Sequence, residues 1–254
     1  KATYSSLLQR ALYQAEKLHD MADRSKGSLT LVTTGKELDA FINRRNDNRH
    51  AVAGILGIEG LHCAEGKIDN IDALYAAGFR MMGITHFFDN ELGGSAHGVS
   101  KGGLTPFGRD CVKKMEEKHI LIDVAHASPA VIDDVLDMAT RPVVMSHGGV
   151  KGTCYKTRNL IVEHVKRIAA TGGVVGIGYW EEAVCGTDVK AIVAAIRYAV
   201  SVAGIDHVGL GSDFDGVITA PFDTSGLAEI TEELQNQGVP DTDIARIMGG
   251  NTLR

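Results

Sequence analysis

Five residues able to bind a metal or move a proton, Glu59, His86, His126, His147 and Asp213, each stand at the end of a short apolar run or within a few residues of it. The runs read AVAGILGIEG, RMMGITH, ILIDVAH, PVVMSH and HVGLGSDFDG. An ionised carboxylate that closes an apolar strand is costly unless it is paired or metal-bound, so Glu59 is either a salt-bridge partner or a ligand. A lone histidine in such a place is more often a packed core residue than a ligand. His126 and His147, however, occupy the same place in consecutive runs with a strand-end glutamate nearby, and neutral imidazole with carboxylate is a preferred zinc donor set. His86 suits three roles: a fourth ligand, a proton donor, or a group that stabilises an oxyanion. Asp213 and Asp215 alternate in GSDFDG and are expected to face the same side, one acting in catalysis and the other capping the following turn. Arg158 reads either as a bidentate clamp for a substrate carboxylate or as a surface charge. The remaining histidines have weaker claims. His62 and His97 fall in rim loops, while His119, His164 and His207 fall beside helices or at a strand start, where solvent exposure is the default.

These residues can meet only if the fold gathers them. Runs of four to seven apolar or small residues alternate with amphipathic segments such as IDNIDALYAAG, TPFGRDCVKKMEEKH, SPAVIDDVLDMA and DVKAIVAAIRYAVSVAG. That alternation indicates βαβ units and a parallel sheet covered on both faces. In a β/α barrel the C-terminal ends of the strands converge on one rim. Six strands are legible: Val52 to Ile58, Arg80 to Thr85, ILIDVA, PVVMS, GVVGIGYW and HVGLGSD. A closed barrel needs eight, so about two are expected before Lys1 or hidden in the N-terminal segment. Two further helices precede the first of these strands, one from Tyr4 to about Arg24 and one in GKELDAFINRR behind a Thr34 cap. An open, doubly wound sheet is the alternative. Its phosphate fingerprint should be Gly-rich at a strand-to-helix turn, whereas the Gly-rich segment GGSAHGVSKGG lies in a long loop, read here as a mobile loop over an active site.

Composition narrows the partners. The 254 residues suit a single barrel domain, residues 1–254. A net charge of −6 gives no basic footprint for nucleic acid or anionic lipid. No apolar stretch approaches the roughly 18 residues of a membrane span. Cys63, Cys111, Cys154 and Cys185 lack CxxC spacing, so free thiols are expected, with one disulfide left open because sequence does not give side-chain distances. Neither compartment nor export is legible.

Taken in order, GIEGLH, GITHFFDNELGGSAHG, LIDVAHAS, PVVMSHGG, TRNL and GLGSDFDG closely resemble the membrane (renal) dipeptidase family of zinc peptidases, especially its bacterial members. The resemblance covers about Leu29 to Arg254. It implies a (β/α)8 TIM barrel of the metal-dependent hydrolase type, a site for two zinc ions, and hydrolysis of dipeptides, often with a D-residue at the C-terminal position, through a hydroxide bridging the metals. Carried over residue by residue, Glu59 would bridge both metals, and His126 and His147 would hold the second. His86 would polarise the scissile carbonyl, Arg158 would hold the substrate carboxylate, and Asp213 would manage the proton and the free amino group. Tyr179 stands where the family has a substrate-contacting tyrosine, and dimerisation is a family expectation.

One departure matters. The family's first strand carries a His-x-Asp pair that completes the first metal's shell, and no strand end here has one. The expectation is that the N-terminal portion, with one or two strands, has been cut and that the C-terminal helix is short, rather than that catalysis has been lost. Two rivals follow from the residues alone: another amide or ester hydrolase on the same barrel, and a non-catalytic relative that keeps one zinc.

Overall fold

Helix starts are written into the sequence by side chains that accept a backbone N–H. The computed structural model, which describes residues 4–254, begins with α1 (Leu7–Arg24) behind a Ser6 cap and α2 (Gly35–Arg45) behind a reciprocal capping box between Thr34 and Glu37. The outer helices follow the same logic. Thr105 and Ser128 cap α4 (Pro106–Glu117) and α5 (Pro129–Met138), each with proline in the first turn, where its missing N–H costs nothing. Asp188 caps α8 (Val189–Ala203). Between these lie α3 (Asp69–Ala76), α6 (Val162–Ala170) and the short α7 (Glu181–Val184), and α9 (Ala228–Asn236) follows.

The strands are short and apolar. β3 (Leu56–Ile58), β4 (Phe79–Gly83), β5 (Leu121–Asp123), β6 (Val143–Gly148), β7 (Val175–Ile177) and β8 (Val208–Leu210) form one sheet in chain order, every neighbouring pair parallel. These are the six strands read from the sequence. Each parallel pair is joined through a helical crossover on the outside, the β/α repeat of a barrel. β1 (Leu29–Leu31) and β2 (Val52–Gly54) form a separate parallel pair. The expected single strand Val52 to Ile58 is therefore two ladder segments: its first half pairs with β1 and its second with β4, with a break at Ile55. β1, in LTLVTT, is the strand that periodicity did not reveal, because three residues show too little alternation.

Apolar side chains from both layers make one continuous core. Val175, Ile177, Val208, Ile192 and Ile196 are fully buried where β7 and β8 meet α8. Two glycines let the strands approach. A Cβ at Gly176 would stand 2.2 Å from the Ser146 carbonyl oxygen, and one at Gly211 would stand 2.5 Å from the same oxygen and 2.8 Å from His147 Cα. The narrow backbone spacing beside His147 thus depends on residues without side chains. Among the described residues no helix is long and apolar enough to cross a membrane.

Candidate metal centre

Because the six strands run parallel, their C-terminal ends open on one rim, and each delivers one candidate residue. Glu59 directly follows β3, His86 lies three residues beyond β4, His126 three beyond β5, His147 within β6, Tyr179 two beyond β7, and Asp213 three beyond β8. The chain bends sharply at two of these places. His126 (φ 62°) and Asp213 (φ 59°) adopt the left-handed region, uncommon for non-glycine residues and most tolerable for Asn, Asp and His. Such conformations persist where surrounding structure holds them, and they cluster at functional sites. Gly60 (φ 83°) supplies a third bend, since a Cβ there would stand 3.0 Å from that of His86.

Three donor atoms converge. Glu59 Oε1 lies 2.9 Å from His126 Nε2 and 3.2 Å from His147 Nε2, and the two Nε2 atoms are 3.1 Å apart. His86 Nε2 approaches Glu59 Oε1 to 3.7 Å, and Asp213 Oδ1 approaches His147 Nε2 to 4.0 Å. Two metal-capable groups result, Glu59–His86–His126 and Glu59–His147–Asp213, which share Glu59. The chemistry fits a cation. Ligands about 2.0–2.1 Å from a tetrahedral ion stand roughly 3.3 Å from one another, close to the spacing of this triangle.

The electrostatics agree with the geometry. The hydrogen bond from His126 Nε2 holds the Glu59 carboxyl well below the usual carboxylate range. Burial pushes His126 down to about 4 and lowers His86, so both imidazoles are neutral near pH 7. Burial raises Asp213, bringing its proton exchange nearer neutrality. Both Asp213 and Asp215 line the cavity above the rim, but Asp215 is exposed and only Asp213 approaches the triangle.

The cavity has a volume of about 1120 Å³ and is walled on one side by the loop between β6 and α6. Arg158 in that loop is not a surface charge. Its guanidinium sits 5.0 Å from the Trp180 ring centroid, Nη2 donates to the His147 carbonyl at 3.3 Å, and buried Nε has no partner among the described residues. The loop is fastened to the segment after β7 by Asn159, whose amide donates to the carbonyls of Cys154, Glu182 and Ala183.

Several expectations need correction. Cys154 and Cys185 are not free thiols but a disulfide joining this loop to the end of α7, while Cys63 and Cys111 are buried and free. Opening that bridge is expected to lower stability by about 2–4 kcal/mol, read as an earlier denaturant midpoint in reductant or in a Cys154→Ser/Cys185→Ser double variant. His164 is buried against α5, with Nε2 3.2 Å from Asp133 Oδ1. The Gly-rich loop is tied down by hydrogen bonds: Ala96 N donates to the His126 carbonyl, Ser128 N to the Gly94 carbonyl, and Ser95 and Ser100 N–H groups to Asp89. Tyr179 is 1% exposed, packed against Phe214 and Phe222, and its hydroxyl has no partner among the described residues, while its neighbour Trp180 stands on the cavity wall. His97 does line the cavity, beside Phe87. Sequence reasoning missed Trp180, and it passed over Asp123 although an aspartate inside ILIDVAH was a visible anomaly.

Parallel strand ends that gather a glutamate and paired histidines on one rim define an α/β barrel with a metal-capable site. Within that class, the sequence matches the membrane dipeptidase family, peptidase family M19, over residues 1–254, and the chain belongs to it. An uncharacterized dipeptidase of Schizosaccharomyces pombe is 30% identical over 229 residues, 85% of this chain and 55% of that protein. The chain spans about half the length of the curated dipeptidases it matches first. Among solved structures, dipeptidase AC, a metallopeptidase of family M19, superposes with a TM-score of 0.85 at 23% identity, covering 95% of this chain and 75% of that one. A metallopeptidase from Rhodobacter sphaeroides, liganded with a phosphinate mimic of the dipeptide L-Ala-D-Ala, superposes with a TM-score of 0.83 at 23% identity, covering 94% and 71%. These likenesses show the fold, including the TIM-barrel type expected from the sequence.

Proposed function

We propose that this chain carries the catalytic site of a zinc dipeptidase, which hydrolyses the peptide bond of dipeptides and accepts a D-residue at the C-terminal position. One observation carries the reading: the triangle of Glu59 Oε1, His126 Nε2 and His147 Nε2 beside a cavity that Glu59, His126, Asp213 and Arg158 line. The relative bound to an L-Ala-D-Ala mimic supports the substrate class. Residues 1–254 are read as one barrel unit.

Glu59, His126 and His147 would hold zinc, with Glu59 shared between two ions in the whole protein. When bound, zinc supplies a Lewis acid and a water whose pKa is lowered toward neutrality. Asp213 takes a proton from the attacking water and returns it to the leaving amine, a task suited to a carboxylate whose pKa burial has raised. His86, neutral and at the rim, donates a hydrogen bond to the carbonyl oxygen as negative charge builds there. Arg158 binds the terminal carboxylate. Because its side chain is held against Trp180 and the His147 carbonyl, the clamp stands at a fixed place relative to the triangle and selects short substrates.

Hydrolysis of L-Ala-D-Ala by the full-length protein, measured before chelation, after it and after zinc add-back, tests the proposal. Loss on chelation and recovery with zinc support it. A folded protein that holds two zinc ions yet leaves the dipeptide intact would move the assignment to another amide or ester substrate. Binding of one ion or none would favour the non-catalytic relative.

A further inference from the structure

Behind the triangle lies a hydrogen-bonded chain that no role assigned above uses. Asp123, the last residue of β5, is 4% exposed, a carboxylate inside the barrel wall. Its Oδ1 accepts from the backbone N–H of Ala125 and of Ser146, both at 2.9 Å. Its Oδ2 accepts from the Ser146 hydroxyl at 2.5 Å, and Ser146 Oγ lies 2.8 Å from His147 Nδ1. One carboxylate thus ties the residue preceding His126 to the residue preceding His147 and reaches the His147 ring through a single hydroxyl.

We infer that Asp123 and Ser146 are positioning residues that fix His147 as its Nδ1–H tautomer and so aim the Nε2 lone pair at the metal. The inference rests on the metal-site reading above. Its logic is a count of hydrogens. An ionised carboxylate can only accept, and a serine hydroxyl has one hydrogen to give. With that hydrogen directed to Asp123, Ser146 Oγ can only accept from His147, so the ring proton sits on Nδ1 and Nε2 is left bare. Ligating histidines are commonly held in this way through their second nitrogen.

His126 provides an internal contrast. Its Nδ1 is buried with no partner among the described residues, while its Nε2 stands 2.9 Å from Glu59 Oε1. A proton on Nδ1 would be a buried, unsatisfied donor, so in the metal-free protein the His126 proton belongs on Nε2, donated to Glu59. The two ligands therefore differ before metal arrives. His147 is preset, and His126 must give up its Nε2 proton or pass it to Nδ1.

Long-range ¹⁵N spectra of the metal-free protein, recorded for wild type, Ser146→Thr and Ser146→Ala, test this, together with zinc affinity from chelator competition. The expected result is an Nδ1–H pattern for His147 and an Nε2–H pattern for His126 in wild type. Ser146→Thr keeps the hydroxyl and both patterns. Ser146→Ala loses the fixed His147 pattern and binds zinc about 10–100-fold more weakly. An Nε2–H pattern for His147 in wild type overturns the inference, as does Ser146→Ala with wild-type tautomer and zinc affinity. A wild-type protein that binds no zinc defeats the functional reading, and the tautomer spectra still decide the relay.

Discussion

Asp213→Asn is expected to lower kcat for L-Ala-D-Ala by about 10²–10⁴-fold, the usual worth of a positioned general acid–base group, with zinc content and melting unchanged. The substitution keeps size and shape. It also suits the backbone, because Asp213 sits at φ 59°, where asparagine is among the few tolerated residues. Asp213→Ala would add strain to lost chemistry and is the poorer test. The wild-type rate should carry an acid limb from Asp213. Since burial raises this carboxyl, the ionised base is lost as pH falls through a value above the ordinary aspartate range, and the limb should vanish in the asparagine variant. Asp215→Asn, changing the exposed partner, should leave kcat near wild type. A full rate in Asp213→Asn would remove the residue from the mechanism.

Arg158→Ala is expected to cost about 10²–10⁴-fold in kcat/KM, mainly through KM. Two charge-assisted hydrogen bonds to a carboxylate are worth roughly 1.5–3 kcal/mol each, and each 1.4 kcal/mol is about tenfold. The guanidinium is ready for such a partner: buried Nε has none among the described residues, Nη2 makes one long contact, and Trp180 stacks beside it. Arg158→Lys should not restore activity, since an ammonium cannot reproduce the planar fork. Substrate chemistry supplies the control. A dipeptide amide, which lacks the terminal carboxylate, should be a poor substrate for wild type and should lose little more in Arg158→Ala. An equal loss for acid and amide would show that Arg158 acts by some route other than the clamp.

Most of the site was visible in the sequence because it obeys a local rule. A polar residue that ends an apolar run in a parallel sheet lies on the rim, and this holds for Glu59, His86, His126, His147 and Asp213 without knowledge of loop conformation. What escaped depends on neighbours distant in the chain. Cys154 and Cys185 are 31 residues apart, and they meet because β6 and β7 are adjacent and their following loops lie side by side. Trp180 stands on the cavity wall at the turn into α7, where it is the cap residue in extended conformation. His164 looked like a surface residue because Asp133, its partner on α5, is 31 residues away. The Gly-rich loop looked mobile from composition alone, yet Asp89 and the His126 carbonyl fasten it. β1 was obscured by brevity, and β2 was read as the first half of one longer strand.

The placement of the donors on successive strand ends separates two kinds of inheritance. Glu59, His126, His147 and Asp213 stand within the ladder of the sheet or no more than three residues past it. Arg158 and the stretch from Gly216 to Thr219, which wall the cavity, hang on loops further from the ladder. A lineage could therefore exchange one substrate for another by rewriting these two loops while the proposed chemistry passes on intact. Drift in the strands would more readily extinguish the chemistry than redirect it.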